Sequence, residues 1–305
     1  MLPSIGDDNI QGERRAMLPS SFDYHRPTSI DEALDLLASL GDDAKVLAGG
    51  QSLIPMMKLR FAAPSHLIDI NRIDGLDAIE EVGDELHIGA LVRHNQLVSS
   101  ELIGSRYPMI AAAAPQIADP LVRNLGTIGG SLTHCDPSGD LGAVMLAANA
   151  RVVLTSKEGE REVPVTEFLA DTFQSSIAPN ELLTKVRITS PTGPYGGAYL
   201  KLERKIGDFA TVAVATRLML TNGSIGAAGI GLTSVGLTNI KATAAEEALI
   251  GQAPSDDLFA EAGRLAAAAS SPVSDVRGSE AYKRHMVDVY VRRGLAASAE
   301  MAGAA

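Results

Sequence analysis

The sequence has 305 residues, 46% of them apolar and 21% charged, which predicts a globular protein of two domains. A net charge of −11 and an aromatic content of 4% argue against nucleic-acid binding, which needs clustered cations and stacking side chains. The sequence contains no run of about 18 apolar residues, so no membrane-spanning segment is predicted. The single cysteine, Cys135, excludes an internal disulfide and also excludes an iron–sulfur cluster that is held by this chain alone.

The first 16 residues are predicted to be a dispensable extension. They carry Asp7, Asp8 and Glu13, and they lack the apolar segment of a signal peptide. The string Met-Leu-Pro-Ser stands at Met1 and again at Met17, so the folded chain is expected to begin near Met17. A cytoplasmic protein is expected, because a lone cysteine also suits a reducing compartment.

From Ser29 onward the pattern alternates between helix and strand, as in an α/β fold. The segment Ser29–Glu32 is a capping box, and Gly41 marks the end of the helix that it opens. The further predicted elements are a strand at 45–48, a helix at 53–58 with Pro55 in its first turn, strands at 66–70 and 85–90, an alanine-rich helix at 108–117, a glycine-rich polar connection at 124–140, a helix at 141–148 capped by Ser138, a hairpin at 151–165 and a strand at 182–188.

Proline and glycine cluster at Ser190–Gly197, which predicts a linker to a second domain. Beyond it, Asn222-Gly223 predicts a hairpin between two of three expected strands. The strands are expected at 198–203, 211–220 and 225–235, and helices at 242–250, 255–269 and 279–297. Three strands followed by helices indicate an α+β fold.

Two glycine-rich loops are candidate anion-binding segments. The first is Ala48, Gly49, Gly50, Gln51 and Ser52, and the second is Thr127, Ile128, Gly129, Gly130 and Ser131. Paired glycines let backbone N–H groups approach an anion, and two such loops suit the two phosphates of a dinucleotide. Tight turns and close packing also use Gly-Gly, so the residues alone leave both interpretations open. Neither loop matches the Rossmann or Walker pattern.

The charged residues near these loops also allow two interpretations. Asp136 and Asp140 could face sugar hydroxyls, or Asp136 could cap the following helix. The basic stretch Lys201–Phe209 could supply a cation to a cofactor, or it could be a solvated turn. The six histidines form no metal-ligand motif and are predicted to be surface or capping groups, so no metal site is expected. No pair of nucleophile and base is evident, which favours a chain that holds a ligand.

Six segments occur in an order typical of one protein family. They are Phe22–Pro27, Ala48–Lys58, Ala118–Pro120, Thr127–Ser131, Asp136–Asp140 and Lys201–Ala210. Together they resemble the FAD-binding medium subunit of the molybdenum hydroxylases, the family of xanthine dehydrogenase and aerobic carbon monoxide dehydrogenase. The resemblance is greatest to the carbon monoxide enzymes. Those enzymes often have His, Asn and Tyr where this chain has Gln51, Ser131 and Phe209, and Gly is usual where Cys135 stands.

The resemblance implies an FAD-binding domain of two α/β subdomains, about 17–72 and 73–190. A smaller C-terminal domain at 195–300, with a three-stranded antiparallel sheet and helices, would follow. The resemblance also implies that both glycine loops contact the FAD diphosphate. It matches Asp140 to the ribityl region, Lys201 to a flavin-contacting lysine, Leu183 to a residue lining the ring and Phe209 to an aromatic side chain against the isoalloxazine.

The same resemblance implies electron transfer as the function. Substrate would be oxidised at a molybdenum cofactor on a large partner subunit, and 2Fe-2S clusters on a small partner would pass electrons to FAD on this chain. A dimer of heterotrimers is expected, cytoplasmic or associated with the inner face of the membrane. Carbon monoxide, an N-heterocycle or an aldehyde is the expected substrate. The alternatives are a stand-alone FAD oxidoreductase and a scaffold that has lost its flavin.

Overall fold

The computed structural model describes residues 18–303, so the predicted extension at residues 1–16 lies outside the described chain. The strands, numbered β1 to β14, are Asp23–His25, Ala44–Leu47, His66–Asp69, Ile79–Val82, Glu85–Gly89, Arg151–Ser156, Gly159–Pro164, Leu169–Asp171, Gln174–Ser175, Leu182–Thr189, Tyr195–Leu202, Val212–Thr221, Ser224–Thr233 and Ile240–Lys241. The α-helices, numbered α1 to α12, are Ile30–Leu40, Leu53–Lys58, His94–Ser99, Glu101–Arg106, Pro108–Ala113, Pro120–Leu125, Ile128–His134, Asp140–Ala147, Val165–Phe168, Thr243–Leu249, Asp256–Ala269 and Glu280–Met301. Within residues 18–303 no helix is long and apolar enough to cross a membrane.

A small parallel sheet, in the order β1-β3-β2, forms the first subdomain. The predicted cap of α1 is present, because the Ser29 hydroxyl accepts the Glu32 N–H at 3.2 Å. Leu34 and Leu37 of this helix share an apolar core with Ile68 of β3. Since β2 runs parallel to β3, its C-terminal end lies at one edge of the sheet, and the first glycine loop begins there.

A five-stranded antiparallel sheet, in the order β4-β5-β10-β6-β7, forms the second subdomain. Every residue of α8 is buried, as expected of a helix that lies between two layers of structure. One of these layers is the C-terminal sheet. A Cβ atom added at Gly229 or Gly231 of β13 would lie 1.9 Å from the backbone oxygen of Ala147 or Ala143. The two glycines therefore let the sheet and α8 touch through their backbones.

The C-terminal sheet has the antiparallel order β11-β12-β13-β14. The three predicted strands are confirmed, and the two-residue β14 adds a fourth. Ala213 and Ala215 of β12 pack into the core of the first domain, whereas Val212 and Val214 pack against the C-terminal helices. This alternation follows from the two-residue period of a strand, and it gives the sheet one face of small side chains toward α8.

Two predictions around α7 are wrong. The segment 124–140, predicted as an irregular connection, contains α7, because the Thr127 hydroxyl caps it by accepting the Gly130 N–H at 3.1 Å. Ser138 does not cap α8, since its own N–H donates to Asp136 Oδ1 at 2.8 Å in a local turn. Asp136 therefore shapes the turn before α8 and does not cap the helix.

The segment between the domains is packed against other elements, whereas the sequence predicted a linker. β11 begins at Tyr195, inside the segment that its prolines and glycines mark as irregular. A Cβ at Gly196 would lie 1.9 Å from the backbone oxygen of Ser298, so this glycine lets β11 touch α12. Ser190 is also fixed, because its hydroxyl lies 2.8 Å from the Tyr107 hydroxyl. The glycines here serve close packing, which sequence composition does not distinguish from flexibility.

Cys135 ends α7 in the left-handed conformation, and 4% of its surface is exposed. Its Sγ donates to the Leu132 carbonyl at 3.1 Å, and burial raises the pKa of the thiol to about 12. We expect the folded protein to leave a disulfide reagent unreacted at pH 8, because the reactive species is the thiolate. The urea-unfolded protein should consume one equivalent per chain, measured by the absorbance of the released thiolate. Stoichiometric reaction of the folded protein within minutes would contradict this burial.

Candidate functional site

The first glycine loop, residues 48–52, connects the C-terminal end of β2 to α2. Gly50 has a φ of +70°, a conformation that glycine adopts without strain. Within residues 18–303 the N–H groups of residues 49–52 donate to no acceptor. These residues are half-buried, and a row of N–H groups that no protein acceptor occupies is suited to an anionic ligand.

The second glycine loop forms the first turn of α7, and its amides are already paired. The Gly129 N–H donates to Ala90 at 2.9 Å, and the Gly130 N–H donates to the Thr127 hydroxyl. A Cβ at Gly129 would lie 2.7 Å from the Ala90 Cβ, so this glycine serves close packing. The hydroxyl groups of Thr127 and Ser131 donate to no acceptor in the described chain, and they are the donors that this loop offers. The unpaired N–H groups therefore favour anion binding at the first loop, whereas the paired amides of the second loop favour the packing interpretation there.

The first loop lies against the backbone of residues 125 and 126, just before the second loop. A Cβ at Gly49 would lie 2.3 Å from the Leu125 oxygen and 2.8 Å from the Gly126 Cα. The ideal Cβ position of Gly130 lies 4.0 Å from the Ala48 Cβ. The structure thus brings the two predicted loops into one cradle, which has unpaired backbone N–H groups on one side and hydroxyl groups on the other.

Asp140 and Lys201 form a buried ion pair between the two domains. The Lys201 ammonium lies 3.1 Å from Asp140 Oδ1 and donates to the Gln116 carbonyl at 2.9 Å. Tyr199 donates its hydroxyl to the same oxygen of Asp140. The side chains of Lys201 and Asp140 are 1% and 9% exposed, which excludes a solvated turn at Lys201. A paired charge in the interior is the arrangement that burial of a lysine requires.

Glu203 adds a second carboxylate to this cluster. Its Oε2 lies 3.6 Å from the Lys201 ammonium and accepts no hydrogen bond in the described chain. Burial raises the pKa of Asp140, although Lys201 and the Tyr199 hydroxyl oppose the rise. Burial and the neighbouring Asp140 raise the pKa of Tyr199 well above its ordinary value. One cation thus faces two carboxylates, so the cluster is sensitive to any charge that is placed beside it.

Two family models match almost the whole chain. One, described as an FAD binding domain in molybdopterin dehydrogenase, matches residues 20–191. The other, described as a CO dehydrogenase flavoprotein C-terminal domain, matches residues 197–298. The chain belongs to the family of FAD-binding subunits of molybdenum hydroxylases. The predicted family and the predicted FAD cofactor are confirmed.

Individual relatives of these FAD-binding subunits match over their full length. The carbon monoxide dehydrogenase medium chain of Hydrogenophaga pseudoflava is 42% identical over 282 residues, 92% of this chain and 98% of that one. Subunit alpha of the 6-hydroxypseudooxynicotine dehydrogenase complex of Paenarthrobacter nicotinovorans is 40% identical, over 92% and 95%. The solved carbon monoxide dehydrogenase of H. pseudoflava that lacks the Mo-pyranopterin moiety matches with a TM-score of 0.90 at 44% identity, over 93% and 99%. The predicted α+β fold class is confirmed.

The residues of the cradle fit FAD. A diphosphate needs several hydrogen-bond donors, and the unpaired N–H groups of residues 49–52 supply them without a side-chain cation. The contact at Gly49 leaves no room for a side chain, so glycine is needed there for the loop to lie against residues 125 and 126. The flavin also needs polar groups, and Asp140 and Lys201 supply both signs of charge in a buried setting.

The structure places Leu183 and Phe209 in contrasting settings. Leu183 is 4% exposed and lies at a bulge in β10. The carbonyl of the adjacent Thr184 accepts the Ala90 N–H at 3.0 Å, and the Ala90 carbonyl in turn accepts the Gly129 N–H, so Ala90 links β10 to the second glycine loop. Phe209 is 53% exposed on the loop between β11 and β12, where its N–H donates to Asp208 at 2.8 Å. Leu183 is thus a fixed core residue of the FAD-binding subunit, and Phe209 is a side chain open to a ligand.

His94 was predicted to be a surface or capping group, and this prediction is wrong. His94 is 5% exposed, and a Cβ at Gly126 beside the second loop would lie 2.8 Å from its ring. Burial lowers the pKa of His94 to about 4, with a contribution from the nearby cations of Arg123 and Arg93. The imidazole is therefore neutral at pH 7. No motif surrounds this histidine in the sequence, so only the fold reveals its place under the cradle.

We expect acid to release FAD partly through His94. The unfolded chain protonates this histidine near pH 6.5 and the folded chain near pH 4, so its contribution to stability is complete above pH 6.5 and is lost as the pH falls through about 4. The contribution is about 3 kcal/mol. Free-flavin fluorescence between pH 7 and 4 measures the release, and His94→Gln should flatten the profile, whereas His134→Gln should not. Identical profiles for both variants would rule out His94 as the titrating group.

Proposed function

We propose that the cradle between the two glycine loops holds the FAD of a heterotrimeric molybdenum hydroxylase, in which this chain is the electron-transfer subunit. The observation that supports this binding mode most strongly is the row of unpaired N–H groups at residues 49–52, which lies where the first loop packs against residues 125 and 126 beside the second loop. Bound FAD supplies redox chemistry that joins two-electron and one-electron steps. The chain itself binds and orients the cofactor and sets the charge around it.

In this proposal each part of the site has its own role. The first loop, Ala48, Gly49, Gly50, Gln51 and Ser52, neutralises the diphosphate with backbone N–H groups. The second loop, Thr127, Ile128, Gly129, Gly130 and Ser131, closes the opposite side and adds hydroxyl donors. Leu183 lines the ring, and the exposed Phe209 covers one of its faces.

The ion pair would act on the flavin end of the cofactor. A carboxylate has about four acceptor sites, so Asp140 can accept a ribityl hydroxyl while it remains bonded to Tyr199 and Lys201. Lys201, near the pyrimidine end, would favour an anionic reduced flavin and so raise its potential. Glu203 would oppose that effect, because its carboxylate faces the same ammonium.

Partner subunits would complete the electron path. A chain with one cysteine cannot ligate an iron–sulfur cluster alone, so the 2Fe-2S clusters would lie on a small subunit and the molybdenum cofactor on a large one. The relatives are named as chains of multi-subunit enzymes, and we propose two heterotrimers per complex, located in the cytoplasm. Electrons would leave the flavin for an external acceptor.

The large subunit would select the substrate. Relatives of similar identity are named for carbon monoxide and for 6-hydroxypseudooxynicotine, so likeness of this chain does not select between substrates. Carbon monoxide, an N-heterocycle and an aldehyde are the proposed candidates. No step of substrate oxidation is assigned to residues of this chain.

A tagged pull-down from the native host tests this function. Absorbance, metal and mass analysis of the eluate should show FAD, iron–sulfur clusters, molybdenum and two further chains, and turnover with each candidate gas or compound then identifies the substrate. A flavin-loaded chain that oxidises a substrate without partners would instead establish a stand-alone FAD oxidoreductase. A complex whose chain carries no flavin would establish a scaffold.

A further inference from the structure

We propose that Asn71 and Arg93 are positioning residues that join the two loops and thereby preform the FAD cradle. The Asn71 side-chain N–H donates to the Ala48 carbonyl, in the first loop, at 2.8 Å. The Arg93 guanidinium donates to the Leu125 carbonyl, just before the second loop. The same guanidinium also donates to the Asn71 side-chain oxygen. We call this pair of side chains the brace.

The brace lies at the seam between the loops. The carbonyl oxygen of Leu125 that Arg93 holds is also the atom nearest to the ideal Cβ position of Gly49. One continuous row of hydrogen bonds thus connects the Ala48 carbonyl to the Leu125 carbonyl where the two backbones touch. The distance between the loops is set by these bonds as well as by van der Waals contact.

The brace also fixes which way the first loop's amide points. A trans peptide is planar, so its carbonyl and its N–H point in opposite directions. Asn71 draws the Ala48 carbonyl to one side, and the Gly49 N–H therefore points to the other, where it donates to no acceptor in the described chain. The peptide between these two residues is thus oriented before any ligand arrives.

Neighbouring residues fix both members of the brace by hydrogen bonds. Asp69 accepts the backbone N–H of Asn71 at 2.9 Å and its side-chain N–H at 2.6 Å, and Tyr24 donates its hydroxyl to the other carboxylate oxygen. Burial would raise the pKa of Asp69, but the hydrogen bonds from Tyr24 and Asn71 hold it below its ordinary value, so the carboxylate stays ionised. The backbone N–H of Arg93 donates to Gln96 at 2.7 Å. Rigid support of this kind is what a preorganised site needs.

The brace acts on FAD through the loops, and this inference rests on the diphosphate-binding role proposed for them. We expect Asn71→Ala or Arg93→Met to weaken FAD binding roughly 10- to 100-fold, because either change removes hydrogen bonds that involve a charged group. The double variant should lose no more FAD affinity than the weaker-binding single variant, because either change breaks the same row of hydrogen bonds. Once saturated with FAD, the variants should keep the wild-type flavin spectrum and midpoint potential, since the Asp140–Lys201 pair is untouched.

The experiment uses the full chain in the complex from which it is purified, with FAD removed and then titrated back under fluorescence detection. ADP serves as a competing probe, because it carries the diphosphate without the flavin. Arg106→Met and Asn95→Ala are matched controls at a surface ion pair and at an exposed helix position. Equal losses of FAD and ADP affinity in the brace variants, with unchanged controls, support the proposal.

Three results overturn the proposal for the brace, and a fourth refutes the proposed function on which it rests. The proposal is overturned if the brace variants bind FAD with wild-type affinity. It is also overturned if the fold-loss of FAD affinity in the double variant equals the product of the fold-losses in the two single variants. A shifted flavin potential in the saturated variants also overturns it, because that would indicate general damage to the site. If Asn71→Ala does not fold, Arg93→Lys decides by the same titration, since a lysine lacks the planar fork with which the guanidinium donates to both acceptors. Wild-type protein that binds neither FAD nor ADP refutes the diphosphate role itself.

Discussion

Replacing Gly49 with alanine is expected to weaken FAD binding roughly 100-fold, since overpacking of a closed contact costs up to about 3 kcal/mol. The added Cβ would lie 2.3 Å from the Leu125 oxygen and 2.8 Å from the Gly126 Cα, and both of these atoms belong to the backbone. No side chain can rotate away to make room, so the loops must separate. The N–H groups of the first loop would then shift relative to the second loop, which would distort the proposed diphosphate site.

The matched control for this change is Gly104→Ala. Gly104 lies inside α4, and a Cβ there meets no atom within 4 Å. Alanine should leave FAD affinity unchanged and raise stability by roughly 0.5–1 kcal/mol, because glycine is a poor helix former. Flavin titration and thermal unfolding of the two variants provide the measurement. Gly49→Ala protein that binds FAD within about threefold of the wild type would show that the backbone contact is not needed.

Replacing Lys201 with methionine is expected to destabilise the protein by about 3–5 kcal/mol at pH 8, the usual effect of removing one partner from a buried ion pair. Asp140 would then be a buried carboxylate without its cation, and burial already raises its pKa. The folded variant would hold a proton that the unfolded chain has released. Its stability should therefore increase as the pH falls from 8 to 5.

The double variant Asp140→Asn, Lys201→Met separates the charge effect from lost packing. An asparagine keeps the shape of the aspartate and carries no charge, so the double variant should recover most of the stability that Lys201→Met loses. Urea unfolding of the wild type, of Lys201→Met and of the double variant at pH 5 and pH 8 measures the six free energies of unfolding. A loss of equal size at both pH values, with no recovery in the double variant, would count against the ion pair as the cause.

Much of the fold is predictable where local chemistry specifies it. The Ser29 cap of α1 and the Asn222-Gly223 hairpin were both predicted, because each depends on residues a few positions apart. The helices α3, α4, α6 and α7 were missed. They have six or seven residues, too few for a helical periodicity to stand out, and tertiary contacts stabilise them.

The site was predictable only where its features depend on residues that are close together in the sequence. Glycines in both loops are visible in the sequence, but whether they bind an anion or allow close packing depends on what lies opposite, such as Ala90 beside Gly129. Lys201 appears in the sequence as one charge in a basic stretch, and only the fold brings it to Asp140. The resemblance to a family predicted a flavin contact for each of the two residues, but it did not predict that they form an ion pair.

The pairing of Asp140 with Lys201 has a consequence for protein synthesis. The two residues lie 61 positions apart, and Lys201 and Tyr199 belong to the first strand of the C-terminal sheet. A chain leaves the ribosome from its N-terminus, so both glycine loops emerge well before the strand that supplies the cation. A nascent chain can therefore contain both glycine loops while Asp140 still lacks its cation. The buried ion pair can form only after the first strand of the C-terminal sheet has been made.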